Sequence, residues 1–341
     1  MNKKFSGVLF IRNAAGAEME SEQSQPQAQT ASAESLTTVV IALSSNALVA
    51  IAKSAAAALT GSASLFAEAA HSWADTGNEV LLIIAERRSQ RPADARHPLG
   101  FGKDAYIWST FAAFGLFAVG AAVSVTHGFV ELTDPEPASD YLVAYVVLAV
   151  SFVLEGVSFI RAYRQARTGA RRRRVHVSTL EHVARSSNPT LRAVFAEDAA
   201  ALIGLLIAFL GVGLQELTGS PVYDAIGSIL IGVLLGVVAI VLIARNRSFL
   251  LGQAIDDETR TVLLGDVLAF PEVERVTFLH VEFIGPGSVL LIAAVDLVGD
   301  RSEAAVAIEL QRIAESLMRE PHIGRAVLTL SAPGAASIVP G

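Results

Sequence analysis

The chain has 341 residues, of which 52% are hydrophobic and only 17% carry a charged side chain. Soluble domains are about 25% charged, so this composition excludes an ordinary soluble protein and predicts a membrane protein. The formal net charge is −7, and the chain contains no cysteine, which excludes disulfides and thiolate metal sites.

Six apolar segments follow a polar start. Residues 1–36 are rich in Gln, Ser, Ala and Glu, and we predict a disordered N-terminal tail there. Crossing a bilayer core takes about 20 apolar residues in a helix. The segments that qualify are about 37–59, 64–86, 104–131, 141–161, 190–215 and 222–245. The sequence therefore predicts an all-α bundle of six transmembrane helices over residues 37–250.

Basic residues are concentrated in the loops after the second, fourth and sixth apolar segments, and the three opposite loops contain none. By the positive-inside rule, the N- and C-termini then lie on the cytoplasmic side, or on the matrix side in an organelle. We expect an integral protein of the bacterial inner membrane. The run of arginines at 171–174 is explained as a topology signal in a lipid membrane, so no nucleic-acid partner is expected.

Two of the apolar segments carry ionisable side chains at helical spacing. Glu68, His71 and Asp75 share one stripe of the second segment, and Glu197 and Asp198 lie in the fifth. A charge at the centre of a membrane helix costs about 2.5–3.5 kcal/mol, so such residues need a partner. A divalent cation suits an imidazole and several carboxylates, and the pattern predicts a metal-ion transporter.

His71, Asp75 and Asp198 fall at similar depth in the bilayer at a rise of about 1.5 Å per residue. With a fourth group or water they would complete a tetrahedral Zn²⁺ site. Glu197 points about 100° away from Asp198, so we choose Asp198 as the ligand and treat Glu197 as a supporting or proton-carrying residue. The reference pKa of a histidine is about 6.5, so protons should compete with metal for His71.

A structural interpretation is that these side chains form interhelical hydrogen bonds that only hold the bundle together. Lys53 and Glu155, in the first and fourth segments, are either structural counter-charges or part of a proton path. Asn78 lies one turn beyond Asp75 and is a candidate hydrogen-bond donor to it.

The hydrophobic pattern changes after Leu251, and we predict a cytoplasmic domain over residues 251–335. Helix, strand, strand, helix and strand patterns follow in order at 256–269, 273–285, 287–299, 302–320 and 325–331. This αββαβ order predicts a small, ferredoxin-like α+β domain with one sheet face free for dimerisation. His280 and His322 fit structural roles in this domain better than metal binding.

Four motifs resemble those of a known family. They are HSWADTGNE at 71–79, HPLGFGK at 97–103, Asp198 in the fifth segment, and YDAIGSILIG at 223–232. Over about residues 37–333 the chain resembles the cation diffusion facilitators, also called the cation efflux family. Within that family, the surroundings of Glu68 and the Glu197-Asp198 pair are similar to the branch that contains the mammalian mitochondrial zinc transporter.

The resemblance implies a homodimer, without cofactors, that exchanges cytosolic divalent metal for protons at a site on the second and fifth helices. Val194 stands one turn before Asp198, where most members have a ligand, and this leaves Glu197, Glu68 or water as the fourth ligand. In the C-terminal domain, Ala294 and residues 330–333 stand where the family usually has metal ligands. We therefore expect no regulatory metal in that domain.

Zinc efflux by metal/proton antiport is therefore the predicted function, with Mn²⁺, Fe²⁺ or Co²⁺ as alternative substrates. An intramembrane metallohydrolase is a competing hypothesis, but the sequence has no HExxH pair, so we do not expect an enzyme. A purely structural membrane protein is the remaining alternative, in which the intramembrane acids could be neutralised without loss of activity.

Overall fold

The computed structural model describes residues 43–44, 46–135, 140–172 and 178–339. The described residues from Ala47 onward belong to one compact unit. The predicted tail, residues 1–36, and the start of the first apolar segment lie outside the described residues.

The described chain is mostly helical up to residue 250. The helices are α1 Asn46–Thr60, α2 Ala63–Ser89, α3 Asp104–Gly115, α4 Ala122–Thr133, α5 Tyr141–Arg172, α6 Thr179–Arg185, α7 Pro189–Thr218 and α8 Val222–Leu250. A six-residue π-helical segment, Leu116–Ala121, joins α3 to α4 without a break.

Four helical stretches are long and apolar enough to cross a membrane. They are Asp104–Thr133 (α3 through α4), Tyr141–Ala170 in α5, Pro189–Thr218 (α7) and Val222–Leu250 (α8). α2 has 27 residues, which is sufficient length, but Glu68, Asp75 and Glu79 make it less apolar. α1 is a shorter apolar helix over its described residues. Four of the six predicted spans are thus confirmed by length and composition, and the other two stay a prediction.

Local sequence signals fix the start of α2 and both ends of α7. The Ser62 hydroxyl accepts a hydrogen bond from the Leu65 N–H at the start of α2, and the Asn188 side chain accepts one from the Leu191 N–H at the start of α7. Gly219 ends α7 with a φ of 71°, which glycine adopts without steric cost. These caps set the register of the two helices that carry the ionisable stripes.

Small side chains bring the helices of the bundle close together. Their shared core is rich in alanine and includes Ala67 on α2, Ala200 on α7 and Leu235 on α8. α8 contacts α2, α3, α4 and α7 and therefore lies centrally in the bundle. Asp224 at the start of α8 accepts hydrogen bonds from the hydroxyl and the N–H of Ser64, which ties α8 to the start of α2.

The C-terminal segment forms a small α+β structure. Its elements are α9 Asp257–Leu268, β1 Val273–Gly285, β2 Ser288–Leu297, α10 Glu303–Leu317 and β3 Ile323–Leu330. β1 and β2 form an antiparallel hairpin, and β3 runs parallel to β2 on its other side. The order of elements agrees with the prediction. β3 begins two residues earlier than predicted, because Ile323 is buried and pairs with Val289 in the ladder.

The β1–β2 hairpin lies against the loop that precedes α3. A Cβ atom at Gly102 would lie 2.6 Å from the carbonyl oxygen of Ile284 and 2.8 Å from the Cα of Gly285. The two backbones therefore leave no room for a side chain. The Gly287 N–H also donates to the Ser187 Oγ, 2.9 Å away, in the segment that precedes α7. The hairpin is thus fixed to the loops before α3 and α7.

Replacing Gly102 with alanine should lower the thermal stability of the protein in detergent. The added methyl group would overlap backbone atoms, and overpacking of this kind costs about 1–3 kcal/mol. The fluorescence of Trp73 and Trp108 reports unfolding. Gly265→Ala on α9 is the matched control, because a Cβ atom there meets no other atom within 4 Å. Equal melting temperatures for the two variants would contradict the close backbone contact.

Candidate metal centre

The stripe on α2 brings His71 and Asp75 together in the interior of the bundle. His71 is 1% exposed, and its Nε2 lies 3.3 Å from the Asp75 Oδ2. Among the described residues, neither ring nitrogen of His71 nor the buried Oδ1 of Asp75 has a hydrogen-bond partner. A buried polar atom without a partner costs about 1–3 kcal/mol. These atoms are therefore suited to receive a cation or a proton.

The two adjacent acids of α7 point toward different helices. Asn78 on α2 donates a hydrogen bond from its amide to the buried Glu197, and the Ser158 hydroxyl on α5 donates to the Asp198 Oδ2 at 2.9 Å. Asp75 is close enough to both acids of α7 for their charges to interact. Glu197 is thus the acid that is bonded directly to α2, and the choice of Asp198 as the ligand stays a prediction.

Glu68, the third residue of the α2 stripe, is bonded to a lysine. The Lys53 Nζ on α1 lies 3.0 Å from the Glu68 Oε2 and 3.8 Å from the Glu155 Oε1 on α5. The side chains of Lys53 and Glu68 are fully buried. The other oxygen of Glu68 lies against Gly204 on α7, where a Cβ atom would overlap it. Lys53 and Glu155 therefore act at least as structural counter-charges.

The five predicted site residues do not form one cluster. Within the described ranges, no group of three or more His, Asp and Glu side chains comes together in an arrangement that would hold a metal ion. The structure brings together His71 with Asp75, Glu197 with Asn78, Asp198 with Ser158, and Glu68 with Lys53.

Two positions beside the site were missed in the sequence. Ser158 lies one turn beyond Glu155 on α5, and this spacing is the signal that could have identified it. Gly204 lies among other small residues of α7, and no sequence signal distinguishes it from them. The sequence predicted that Asn78 donates a hydrogen bond to Asp75. In the structure, Asn78 donates to Glu197 instead.

The two histidines of the C-terminal segment have separate neighbours. The His280 Nε2 lies 3.3 Å from the Glu282 Oε2, and the His322 Nδ1 lies 3.2 Å from the carbonyl oxygen of Gly287. Both histidines are exposed. These contacts are compatible with the structural roles that the sequence favours.

Comparison with known proteins shows what the chain is related to. Residues 39–251 match the family model of the cation efflux transmembrane domain. The chain belongs to the cation efflux family. This confirms the resemblance in the sequence motifs and makes the chain an integral membrane protein.

Several relatives of this cation efflux protein are known by name. Metal tolerance protein C4 of Arabidopsis thaliana is 37% identical over 235 residues, which are 69% of this chain and 51% of the relative. The human proton-coupled zinc antiporter SLC30A9, mitochondrial, is 37% identical over 261 residues, which are 76% of this chain and 46% of the relative. Magnetosome protein MamB of Paramagnetospirillum magneticum is 23% identical over 227 residues, which are 67% of this chain and 70% of the relative.

The chain spans about half the length of the plant and vertebrate relatives that it matches. Those relatives are a plant protein and proteins named as mitochondrial, so they do not support the bacterial inner membrane that we expected. What the comparison shows for this cation efflux protein is a membrane location.

Gly204→Ala should destabilise this cation efflux protein. The methyl group would overlap the Glu68 Oε1, and that carboxylate is already held by Lys53 on its other side. Forcing extra volume into a packed interior costs about 1–3 kcal/mol, and thermal unfolding in detergent measures the loss. Gly213→Ala on the same helix is the control, because a Cβ atom there would lie at an ordinary 3.6 Å from the Tyr145 Oη. A melting temperature for Gly204→Ala that equals the control would contradict the placement of Glu68.

Proposed function

We propose that the chain is a divalent metal transporter that exports zinc in exchange for protons. The observation that carries the proposal is the buried His71–Asp75 pair, whose ring nitrogens and second carboxylate oxygen have no hydrogen-bond partner among the described residues. One imidazole with carboxylates from a second helix is a donor set that suits Zn²⁺. Glu197 and Asp198 on α7, together with Glu155 on α5, are carboxylates within electrostatic range of Asp75.

Family membership favours transport over the other classes. The model that matches is that of a cation efflux domain, and the vertebrate relatives are named as proton-coupled zinc antiporters. An intramembrane metallohydrolase or a purely structural protein has no comparable support. Mn²⁺, Fe²⁺ and Co²⁺ are alternative substrates, because a site of imidazole and carboxylates binds all of them.

We also propose the assembly and orientation that the sequence predicted. The chain would form a homodimer of six-helix membrane domains, with both termini and the domain at 251–335 on the cytoplasmic side. The sheet supports dimerisation, because the face away from its core exposes Phe278 and Val327 at 52% and 41%. Basic residues occur in all three predicted inner loops and are absent from the three opposite loops, which supports the orientation.

Neutralising the acids of the site should abolish zinc transport without unfolding the protein. Asp75→Asn and Asp198→Asn each remove a negative charge and keep the shape of the side chain, so a divalent cation loses a ligand while the packing remains. Transport is measured as zinc uptake into inside-out vesicles with an imposed pH gradient. Asp257→Asn, at an exposed position in the first turn of α9, is the control and should transport zinc normally.

The location of the site depends on those two variants. If Asp75→Asn transported zinc at the rate of Asp257→Asn, the proposed site would be wrong. If Asp198→Asn alone remained active, the ligand from α7 would be Glu197, the acid that Asn78 already joins to α2. Glu197→Gln is the variant that then separates a ligand from a supporting residue.

Protons should compete with zinc for the site. A metal ligand binds either a proton or the metal, so apparent zinc affinity should fall as the pH falls from about 8 to 5.5, a range that brackets the reference pKa of histidine. Calorimetry on the purified protein measures this dependence. His71→Asp should move the competition to lower pH and favour Mn²⁺ relative to Zn²⁺, because it replaces an imidazole with a hard oxygen donor. An affinity that is constant over this range would exclude His71 as the coupling residue.

A further inference from the structure

Lys53 is a fully buried lysine within a membrane helix. Its ammonium group lies 3.0 Å from Glu68 on α2 and 3.8 Å from Glu155 on α5, so three helices meet at one cation. A charge in this environment is retained only where partners compensate it. Glu155 is also one turn before Ser158, the hydroxyl that donates to Asp198. Lys53 is thus held beside the candidate metal centre without belonging to it.

The lysine determines what Glu68 can bind. One oxygen of Glu68 is bonded to the ammonium group, and the other is buried against Gly204 without a hydrogen-bond partner among the described residues. Glu68 precedes His71 by three residues and therefore shares its face of α2. If the lysine were absent, the carboxyl group of Glu68 would lie one turn from the His71–Asp75 pair without its present partner, and it would be available to a metal ion bound there.

We propose that Lys53 is a specificity-determining residue, which withholds Glu68 from the metal and so keeps the imidazole of His71 as a dominant donor. The inference rests on the proposed function. Imidazole favours Zn²⁺, whereas additional carboxylate oxygens favour harder ions such as Mn²⁺. By engaging Glu68, Lys53 lowers the number of oxygen donors available on α2. The lysine acts through Glu68 and does not touch the metal.

Lys53→Met tests this role, because methionine fills a similar volume without the charge. The purified protein is reconstituted into liposomes, and the initial rates of Mn²⁺ and Zn²⁺ transport are compared. We expect the ratio of Mn²⁺ to Zn²⁺ transport to rise about tenfold, the lower end of the effect that partners of metal ligands have on metal affinity. Lys53→Arg, which retains a cation beside Glu68, is the matched control and should keep a ratio near that of the wild type.

A second substitution distinguishes specificity from a general structural effect. Lys53→Met combined with Glu68→Gln removes the carboxylate that the first variant released, so the ratio should return toward the wild-type value. Lys53→Met alone leaves two carboxylates, Glu68 and Glu155, without their cation. Adding Glu155→Gln reduces this number to one, so the double variant should fold more readily than Lys53→Met alone. It still releases Glu68 and should show the raised ratio.

The outcomes separate this inference from the proposed function. If the wild type transports neither ion, the proposed function is wrong. Two variants keep Glu68: Lys53→Met alone, and Lys53→Met combined with Glu155→Gln. If the wild type and both variants transport zinc with the same ratio of Mn²⁺ to Zn²⁺ transport, Lys53 does not set specificity. The inference is also overturned if the ratio rises but Glu68→Gln does not reverse it. Folded variants that lose transport of both ions would show that Lys53 is essential and not selective.

Discussion

The membrane helices of this protein depend on finding partners for buried charges, because hydrocarbon supplies none. Four interhelical contacts meet this requirement with side chains from α1, α2, α5 and α7. They are Lys53 with Glu68 and Glu155, Asn78 with Glu197, and Ser158 with Asp198. His71 differs from these residues, because neither of its ring nitrogens is hydrogen-bonded to a described residue. The position of the metal is inferred from that contrast.

Close packing of helices makes the contacts possible. Short side chains reach one another only where the backbones approach closely, and the core that surrounds them is built largely of alanine. Gly204 is one position where this close approach is needed, since any side chain there would displace Glu68. Packing and charge compensation are therefore one constraint in this bundle, and a change in helix spacing would alter both.

The end of the bundle at the start of α7 connects the candidate site to the C-terminal sheet. Arg192, near the start of α7, donates to the Asn246 side chain at 2.8 Å and lies over the Phe249 ring, 4.7 Å from its centre, both on α8. The Phe249 ring in turn meets Phe283 of β1, with centroids 5.4 Å apart. α7, which carries Glu197, is thus linked through packed side chains to the hairpin. A movement of either part has to change these contacts.

Composition, hydrophobic periodicity and spacing were sufficient for much of the fold. The apolar lengths of α3 through α4, α5, α7 and α8 determine that they can cross a membrane, because that property depends on length and composition alone. The αββαβ order of the C-terminal segment is likewise local, and the sequence predicted it. The i, i+4 spacing also placed His71 beside Asp75, because both lie on one helix.

Partners on different helices were decided only by the tertiary structure. The sequence shows that Glu197 and Asp198 point about 100° apart, but it does not show which of them faces α2. That depends on the rotation of α7 against α2 and α5, which packing fixes and which periodicity leaves open. For the same reason the bonds of Lys53 to Glu68 and of Ser158 to Asp198 were not predictable. The sequence determined which ionisable side chains lie within apolar segments, and the packing of the helices decided which of them meet.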